Sequence, residues 1–166
     1  MNQKLQIKKA TIEDVPGITA IYNDAILTTT ATFDTEIKTI ENRLEWFNQH
    51  TEKYPLLVAL ENNEVLGWAS MTRWSDRSAY DDTAEISIYI HPNHRDKGIG
   101  KLLMNEIVKA GKISGLHCVL SRITQGNEKS IYLHQQVGFT HVGLLKEVGK
   151  KFGTILDVYM MQYLYK

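Results

Sequence analysis

The sequence predicts a single α+β domain, residues 1–166, in which helices pack on both faces of a mixed, mostly antiparallel sheet. Strand-like and helix-like segments interleave along the chain without strict alternation, which favours a mixed sheet over a doubly wound parallel sheet. No repeat, low-complexity tract or Pro/Gly/Ser-rich linker divides the 166 residues. One domain with a substantial core accommodates a chain of that length.

The first half of the chain predicts a strand, two helices and a hairpin. Thr11 and Asp14 stand in a capping-box-like arrangement, which marks the start of a helix. Apolar residues then recur at helical spacing. Two short apolar runs flank Glu61-Asn62-Asn63-Glu64, a pattern typical of a β-hairpin. The expected elements are a strand at 5–10, helices at 12–27 and 40–50, and hairpin strands at 56–60 and 65–71.

The most informative strand of the second half covers residues 83–91 and is ended by Pro92. Side chains of a strand alternate between its two faces, so one face here is apolar. The apolar set is Ala84, Ile86, Ile88 and Ile90, against Glu85, Ser87 and Tyr89. The remaining expected elements are a helix at 97–114, a strand at 117–124, a helix at 127–137, and a final strand pair at 139–148 and 154–164 around residues 149–153.

The composition is that of an ordinary globular protein. Lys plus Arg and Asp plus Glu number 19 each, so the formal net charge is zero. Nucleic-acid and membrane partners need a surplus of positive charge on one face, so neither is expected. The one cysteine, Cys118, lies in an apolar stretch and predicts a buried thiol without an intrachain disulfide. With no signal-peptide-like run and no apolar run of membrane-span length, we expect a cytoplasmic location. The histidines show no metal-ligand spacing, so no metal is expected.

A glycine-containing turn follows the strand that ends at Pro92. Its sequence is Arg95-Asp96-Lys97-Gly98-Ile99-Gly100, and it opens directly into a helix. The start of a helix offers unpaired N–H groups to an anion, and glycine lets a phosphate approach the backbone. The alternative is an ordinary turn before a helix. A P-loop is excluded because Leu102 follows Gly100-Lys101, and a dinucleotide fingerprint because Leu103 replaces its third glycine.

The same turn, between a strand and a helix, resembles the coenzyme A motif of the GCN5-related N-acetyltransferases, and the resemblance runs nearly end to end. Further segments resemble the phosphinothricin and methionine sulfoximine acetyltransferase subfamily. They are Phe33-Asp34-Thr35-Glu36, Tyr54-Pro55-Leu56-Leu57-Val58-Ala59, Ala79-Tyr80-Asp81, Leu133-His134, and Val148-Gly149-Lys150-Lys151-Phe152-Gly153 followed by Asp157.

The resemblance implies a V-shaped sheet and acetyl-CoA as cosubstrate. The cosubstrate would enter beside the strand 83–91, with its pantetheine on the backbone of Ile88, Tyr89 and Ile90. A bulge is expected near residues 86–89, freeing an N–H for the oxyanion. The positions implied for the diphosphate and the far side of the cosubstrate are Arg95, Asp96, Lys97, Gly98, Ile99 and Gly100, and then Asn127 and Ser130.

Amine acetylation needs a proton acceptor, because an α-amino group is largely protonated at neutral pH and only the free amine attacks a thioester. The subfamily carries its catalytic glutamate at the position of Glu85, which is our candidate base. Without the resemblance, Glu85 is a solvated strand carboxylate. His134 stands where most of the superfamily has a tyrosine that protonates the thiolate, and histidine can donate a proton. The alternative is a packing or cosubstrate-contacting histidine.

The acceptor site is predicted from the resemblance and from charge. Arg73, with Trp74 and Ser75, would bind the carboxylate of an amino-acid acceptor. Phe33 and Tyr80 would wall the side-chain pocket, together with Tyr22. Lys151 lies in a hairpin that approaches the neighbouring subunit in relatives, so a homodimer is expected. Each of these residues also has an ordinary interpretation as an exposed charge or a core aromatic.

Two other functions are open at this point. The acceptor could be a protein N-terminus, a polyamine or an aminoglycoside, although Arg73 would repel the polycations. The chain could also be a coenzyme A-binding regulatory module without turnover, against which the presence of Glu85 argues.

Overall fold

Seven strands and four α-helices make up residues 3–166, the part of the chain that the computed structural model describes. The strands are β1 Gln6–Lys9, β2 Leu56–Glu61, β3 Glu64–Arg73, β4 Thr83–Ile90, β5 Cys118–Thr124, β6 Thr140–Lys151 and β7 Thr154–Leu164. The helices are α1 Val15–Thr28, α2 Ile40–Asn48, α3 Ile99–Ile113 and α4 Glu128–Val137.

The strands form one mixed sheet in the order β1-β2-β3-β4-β5-β7-β6. Neighbouring strands are antiparallel except for β4 and β5, which are parallel. The α+β class and the mixed sheet are therefore confirmed.

Helices cover both faces of the sheet, as predicted. Alternate side chains of β4 point to one face or the other and so identify the two cores. Ala84 and Ile86 are buried in a core built with α3 and α4; we call this side the α3 face. On the other side, Tyr89 packs against a second core that contains Trp68 and residues of α1 and α2; we call this side the α1 face. Alternation places Glu85 and Ser87 on the α1 face.

Local sequence signals account for the hairpin between β2 and β3 and for the entry into α1. Asn62 and Asn63 have φ of 52° and 63°, the left-handed conformation that a two-residue hairpin turn requires. The backbone N–H of Thr11 donates to the Asp14 carboxylate at 2.8 Å, so the predicted capping contact is present. It caps a short 3₁₀-helix, Ile12–Asp14, that precedes α1.

Two expectations about strands are wrong. The strand pair was predicted to be separated by residues 149–153, but β6 continues to Lys151. The connection is therefore a two-residue turn, Phe152-Gly153, with φ of 50° and 76°. A Cβ at residue 149 would collide with the ring of Phe33, so this glycine serves close packing within the strand. The bulge expected in β4 is also wrong, since β3 and β4 pair in regular register from Gly67↔Ile90 to Arg73↔Ala84.

Cys118 is buried and unpaired within the described residues, as expected. In residues 3–166 no helix combines the length and the apolar character needed to cross a membrane.

Candidate active site

The sheet opens between β4 and β5. The two strands pair only over Thr83–Glu85 and Cys118–Leu120, while β5 continues alongside β7 to Thr124. Beyond Glu85 and Leu120 the strands diverge, which confirms the V-shaped sheet. We call this opening the wedge. A cavity of about 550 Å³ lies there, lined by residues 85–89 of β4, residues 121–124 of β5 and the loop after α1.

The backbone of β4 presents hydrogen-bonding groups to the wedge. His91 N–H donates to Leu66 O at 2.8 Å, and Trp74 N–H donates to Thr83 O at 3.3 Å. Odd-numbered residues of this strand thus bond to β3, because bonding direction alternates along a strand. The N–H and C=O groups of Ile88 and Ile90 consequently point toward β5 beyond the last pair, Glu85↔Leu120, where the ladder has ended. Regular pairing supplies these groups without a bulge.

The turn before α3 leaves open space beside its capping residue. Gly98 caps the helix with φ of 83°, and a Cβ at this residue would meet no heavy atom of residues 3–166 within 4 Å. The first N–H groups of α3 have no partner within the helix and lie at its positive end. Asp96 lies in this turn, but its carboxylate is paired with Lys129 of α4 at 2.8 Å.

The other predicted diphosphate-binding residues surround this helix start. Arg95 Nη2 lies 3.8 Å from the Asp24 carboxylate of α1. Lys97 is exposed and Ile99 is buried. A Cβ on Gly100 would make an ordinary contact with Leu133 of α4, at 3.5 Å. Gly98 is thus the glycine that faces open space, while Gly100 lies against α4.

Glu85 marks the point where β4 and β5 separate, and a guanidinium holds its carboxylate. Arg122 Nε donates to Oε1 at 2.9 Å and Arg122 Nη2 donates to Oε2 at 2.7 Å. Both residues line the cavity. The Glu85 side chain is 19% exposed. The pair crosses the narrow end of the wedge on the α1 face.

His134 is 2% exposed and forms part of the cavity wall. Its Nδ1 lies 2.7 Å from the carbonyl oxygen of Ser130, and its Nε2 lies 3.0 Å from Ser121 Oγ. A carbonyl oxygen only accepts, so Nδ1 carries the proton of the neutral ring and Nε2 accepts from the serine hydroxyl. Burial lowers the pKa of His134, and the hydrogen bond to the Ser130 carbonyl, which raises the pKa, offsets this only in part. The ring is neutral, and its one proton is held on the helix backbone.

The start of α4 completes the far wall. Asn127 caps the helix by accepting from the N–H of Ser130 at 3.3 Å. Both residues line the cavity, and their contact with the cosubstrate stays a prediction.

The loop after α1 forms the wall opposite α4. Tyr22 hydrogen-bonds to Asp34 and lies 3.1 Å from Thr32 Oγ1. Burial, reinforced by the bond to Asp34, raises the pKa of Tyr22 to about 12. Burial likewise raises the pKa of Tyr89, so both phenols stay neutral. Thr124 Oγ1 donates to Thr30 O at 2.7 Å, which ties this loop to β5.

The β6–β7 hairpin supports the same loop from behind. Lys151 is buried and its Nζ donates to Thr32 O at 2.8 Å. Burial lowers the pKa of this ammonium. Phe33 lines the cavity and packs over Gly149. Within one chain, Lys151 therefore holds the loop that carries the cavity wall.

Comparison with known proteins assigns the fold to a family. The model of the acetyltransferase (GNAT) family matches residues 18–139. This chain belongs to the GNAT family. The L-methionine sulfoximine/L-methionine sulfone acetyltransferase of Pseudomonas aeruginosa is 39% identical over 158 residues, which are 94% of this chain and 92% of that protein. The phosphinothricin N-acetyltransferase of Streptomyces coelicolor is 38% identical over 159 residues, 93% of each chain.

A solved GNAT structure carries the cosubstrate that the family resemblance predicts. The acetyltransferase yncA of Salmonella typhimurium, solved with its cofactor acetyl-CoA, superposes with a TM-score of 0.94 at 36% identity, covering 98% of this chain and 94% of that one. The chain is accordingly an acetyl-CoA-dependent N-acetyltransferase. The open N–H groups of β4 and the positive end of α3 fit a cosubstrate with an amide-containing arm and a diphosphate.

The predicted acceptor-binding residues of this GNAT protein are not all brought together. Trp74 lies near Arg122, with the guanidinium carbon 5.7 Å from its ring. Arg73 instead pairs with Asp81, and opposite it on β4 stands Ala84 of the α3 face. Of the described residues, those lining the cavity include Phe33 but not the other predicted acceptor-binding residues, which are Arg73, Trp74, Ser75, Tyr80 and Lys151. Ser75 accepts from the N–H of Arg77 at 3.3 Å, and Tyr80 is exposed.

Several residues of the GNAT site were not identified as site residues from the sequence. Arg122, Ser121 and Asp34 line the cavity. Alternation along β5 predicts that the side chains of Arg122 and Ser121 lie on opposite faces of the sheet. Only the tertiary fold shows that Arg122 contacts Glu85.

Proposed function

We propose that this enzyme transfers the acetyl group of acetyl-CoA to the α-amino group of a small free amino acid or close analogue. Methionine sulfoximine, methionine sulfone and phosphinothricin are the acceptor types named for its relatives. The observation that carries the proposal is the Glu85 carboxylate at the narrow end of the wedge, facing a cavity of about 550 Å³. That volume suits a small acceptor beside the thioester end of the cosubstrate.

The proposed reaction is a direct attack of the amine on the thioester. Glu85, acting directly or through one water molecule, accepts the proton of the acceptor ammonium. The amine nitrogen then bonds to the carbonyl carbon, and the carbon–sulfur bond breaks. The second proton that the nitrogen loses in forming the amide passes through water to the departing thiolate. The N–H groups of β4 that face the wedge stabilise the negative charge on the carbonyl oxygen. Arg122 holds the Glu85 carboxylate in a single orientation.

His134 has a positioning role in this mechanism. Its ring proton is directed at Ser130 O, and its Nε2 orients the hydroxyl of Ser121 toward the ring. A buried neutral imidazole of this tautomer is a poor donor to a thiolate. We therefore assign protonation of the departing thiolate to water.

The cosubstrate is proposed to bind along the whole wedge. Its diphosphate would lie on the N–H groups from Arg95 to Gly100, and its pantetheine on the backbone from Ile88 to Ile90. Asn127 and Ser130 of α4 would contact its far side. This path joins the anion-receiving turn to Glu85 without crossing a helix.

We also propose that the protein is a cytoplasmic homodimer. Large apolar side chains are exposed on β6 and β7, among them Val142, Leu144 and Ile155, and such patches mark interaction surfaces. The free thiol of Cys118 is compatible with a reducing compartment.

Thiol release from acetyl-CoA tests the proposed function. The acceptors are phosphinothricin, methionine sulfoximine, methionine sulfone and a panel of free amino acids, each followed by mass spectrometry of the N-acetyl product. We expect acceptor-dependent release with at least one of them. Release with peptides bearing a free N-terminus or with polyamines, and with none of the amino acids, would refute the assignment of the acceptor. No release with any amine would refute turnover altogether.

A further inference from the structure

Arg122 presents more hydrogen-bonding capacity than Glu85 uses. A guanidinium has five N–H groups in a planar fork. Glu85 takes one edge of it, through Nε and Nη2. The other edge, formed by Nη1 and the second hydrogen of Nη2, has no hydrogen-bond acceptor in residues 3–166. The Arg122 side chain is 55% exposed and lines the cavity.

The free edge of this guanidinium has the geometry that binds carboxylates. Two parallel N–H groups match the two oxygens of a carboxylate bidentately. The centroid of the Trp74 ring lies 5.7 Å from the guanidinium carbon, and Glu85 holds the first edge through two hydrogen bonds. Because Arg122 lines the cavity, its free edge is available to an acceptor bound there.

The position next to the candidate base suits an α-amino acid. In such an acceptor a single carbon atom separates the amino group from the carboxylate. The group that takes the ammonium proton and the group that binds the carboxylate must therefore be neighbours, as Glu85 and Arg122 are. Arg73 does not meet this requirement, because it pairs with Asp81 and lies across from Ala84 on the α3 face.

We propose that Arg122, rather than Arg73, binds the α-carboxylate of the acceptor and so restricts the enzyme to acceptors with a free carboxylate. This inference rests on the proposed function. The same guanidinium repels amines that carry a second positive charge in place of the carboxylate, which disfavours polyamines. Specificity and catalysis then share one ion pair, with Glu85 acting on the amino group and Arg122 on the carboxylate.

The test compares an acid with its amide. The best amino-acid acceptor from the thiol-release panel and its α-carboxamide are assayed side by side, and kcat/KM is measured for each. The variants are Arg122→Met, Arg122→Lys and, as a matched substitution on the other face, Arg73→Met. Any indirect effect through Glu85 alters both acceptors alike and cancels in the acid-to-amide ratio.

We expect the wild-type ratio to favour the acid by about 10²-fold, since one charged, bidentate contact is at stake. In Arg122→Met the acid-to-amide ratio should fall to within a few-fold of the ratio that the reactivities of the two free amines alone would give. Arg122→Lys should give an intermediate ratio. Arg73→Met should leave the ratio unchanged. Titration calorimetry should show unaltered acetyl-CoA affinity in all three variants, which also verifies that they fold.

Three outcomes overturn the inference. An equal loss with acid and amide in Arg122→Met means that Arg122 acts only through Glu85. A collapse of the ratio in Arg73→Met assigns the carboxylate to Arg73. A wild-type enzyme that acetylates the amide as well as the acid has no carboxylate-binding residue, although the proposed function stands. Absence of acceptor-dependent release with every amino acid is a different result, which defeats the proposed function itself.

Discussion

Glu85 is the side chain on which the proposed chemistry depends most directly. Glu85→Gln keeps the shape of the residue and one oxygen for Arg122, but an amide cannot accept the proton of the acceptor. We expect turnover to fall by about 10²- to 10⁴-fold, while the acetyl-CoA dissociation constant changes little because the proposed cosubstrate contacts are with backbone groups. Steady-state thiol release and titration calorimetry measure the two quantities.

A matched substitution separates catalysis from a general loss of charge. Glu106 on α3 is also a carboxylate paired with a cation, Lys109 at 2.9 Å, but it lies away from the cavity. Glu106→Gln should turn over at the wild-type rate. Wild-type turnover in Glu85→Gln would remove Glu85 from its role as the base.

His134 should make stability depend on pH. Burial lowers its pKa in the folded state below the ordinary value of 6.5, so the unfolded chain binds the proton more tightly. Stability is then complete above about pH 6.5 and is lost as the pH falls from there through the folded pKa. We expect the free energy of unfolding, from denaturant titration, to fall between pH 7.5 and pH 5.5. His134→Asn should make this fall smaller.

The remaining pH dependence of that variant has a second source. Burial also lowers the pKa of His50, and this histidine is retained. His141 is exposed, so His141→Asn serves as the control and should show the wild-type pH dependence. An undiminished fall in His134→Asn would mean that the imidazole is not held neutral by burial.

At the scale of elements, the first turn of α3 can be tested with two glycines of the same backbone conformation. Gly98 has φ of 83° and Gly115, beyond the other end of α3, has φ of 87°. For both, an added Cβ meets no heavy atom of the described residues within 4 Å. Replacing either with alanine should destabilise the fold by about 1 kcal/mol, because a Cβ disfavours this conformation.

Only one of the two substitutions should affect the cosubstrate. The methyl group of Gly98→Ala projects into the space proposed for the diphosphate, so we expect acetyl-CoA to bind at least about tenfold more weakly. Gly115→Ala should bind it as the wild type does. Calorimetric titration with acetyl-CoA checks both. Equal affinities would place the diphosphate elsewhere.

The elements that could be predicted are those specified by neighbouring residues. The Asn62-Asn63 turn, the alternation along β4 and the glycine turn before α3 all depend on local conformational preferences, and the structure has them at the predicted positions. The break at 149–153 was predicted from the same kind of signal and is wrong. There, β6 continues to Lys151 after an irregularity in its pairing with β7 between Leu145 and Gly149. Gly149 lies against Phe33, and that contact joins residues more than a hundred positions apart.

At the scale of the molecule, the site arises from contacts that sequence patterns do not report. The wedge exists because β5 leaves β4 after Leu120 and stays with β7. Neither strand contains a local signal for this divergence, and the V-shaped sheet was expected only from the family resemblance. Glu85 was likewise identified by resemblance, whereas its partner Arg122 lies 37 positions along the chain and became visible only with the fold. Local preferences thus predicted the scaffold, and long-range pairing completed the active site.

The β6–β7 hairpin gives the whole-molecule prediction. Val142 and Leu144 are 52% and 42% exposed on β6, the edge strand of the sheet, and burying them in a homodimer would remove apolar surface from water. Val142→Asp combined with Leu144→Asp would place two carboxylates in that interface. We expect the dimer dissociation constant to rise by about 10²-fold or more, measured by size-exclusion chromatography with light scattering over a concentration series.

The control for this prediction is an exposed apolar residue outside the hairpin. Ile113, at the end of α3, is 88% exposed, and Ile113→Asp adds the same charge without touching β6 or β7. It should remain dimeric at the concentrations where the double variant is monomeric. A wild-type protein that is monomeric throughout the series, or a double variant that stays dimeric, would show that this surface is not the interface. Lys151 and Gly149 of β6 contact the loop that forms the cavity wall. We therefore expect dissociation of the dimer to lower kcat/KM for the acceptor as well, and kcat/KM is measured with the same variants.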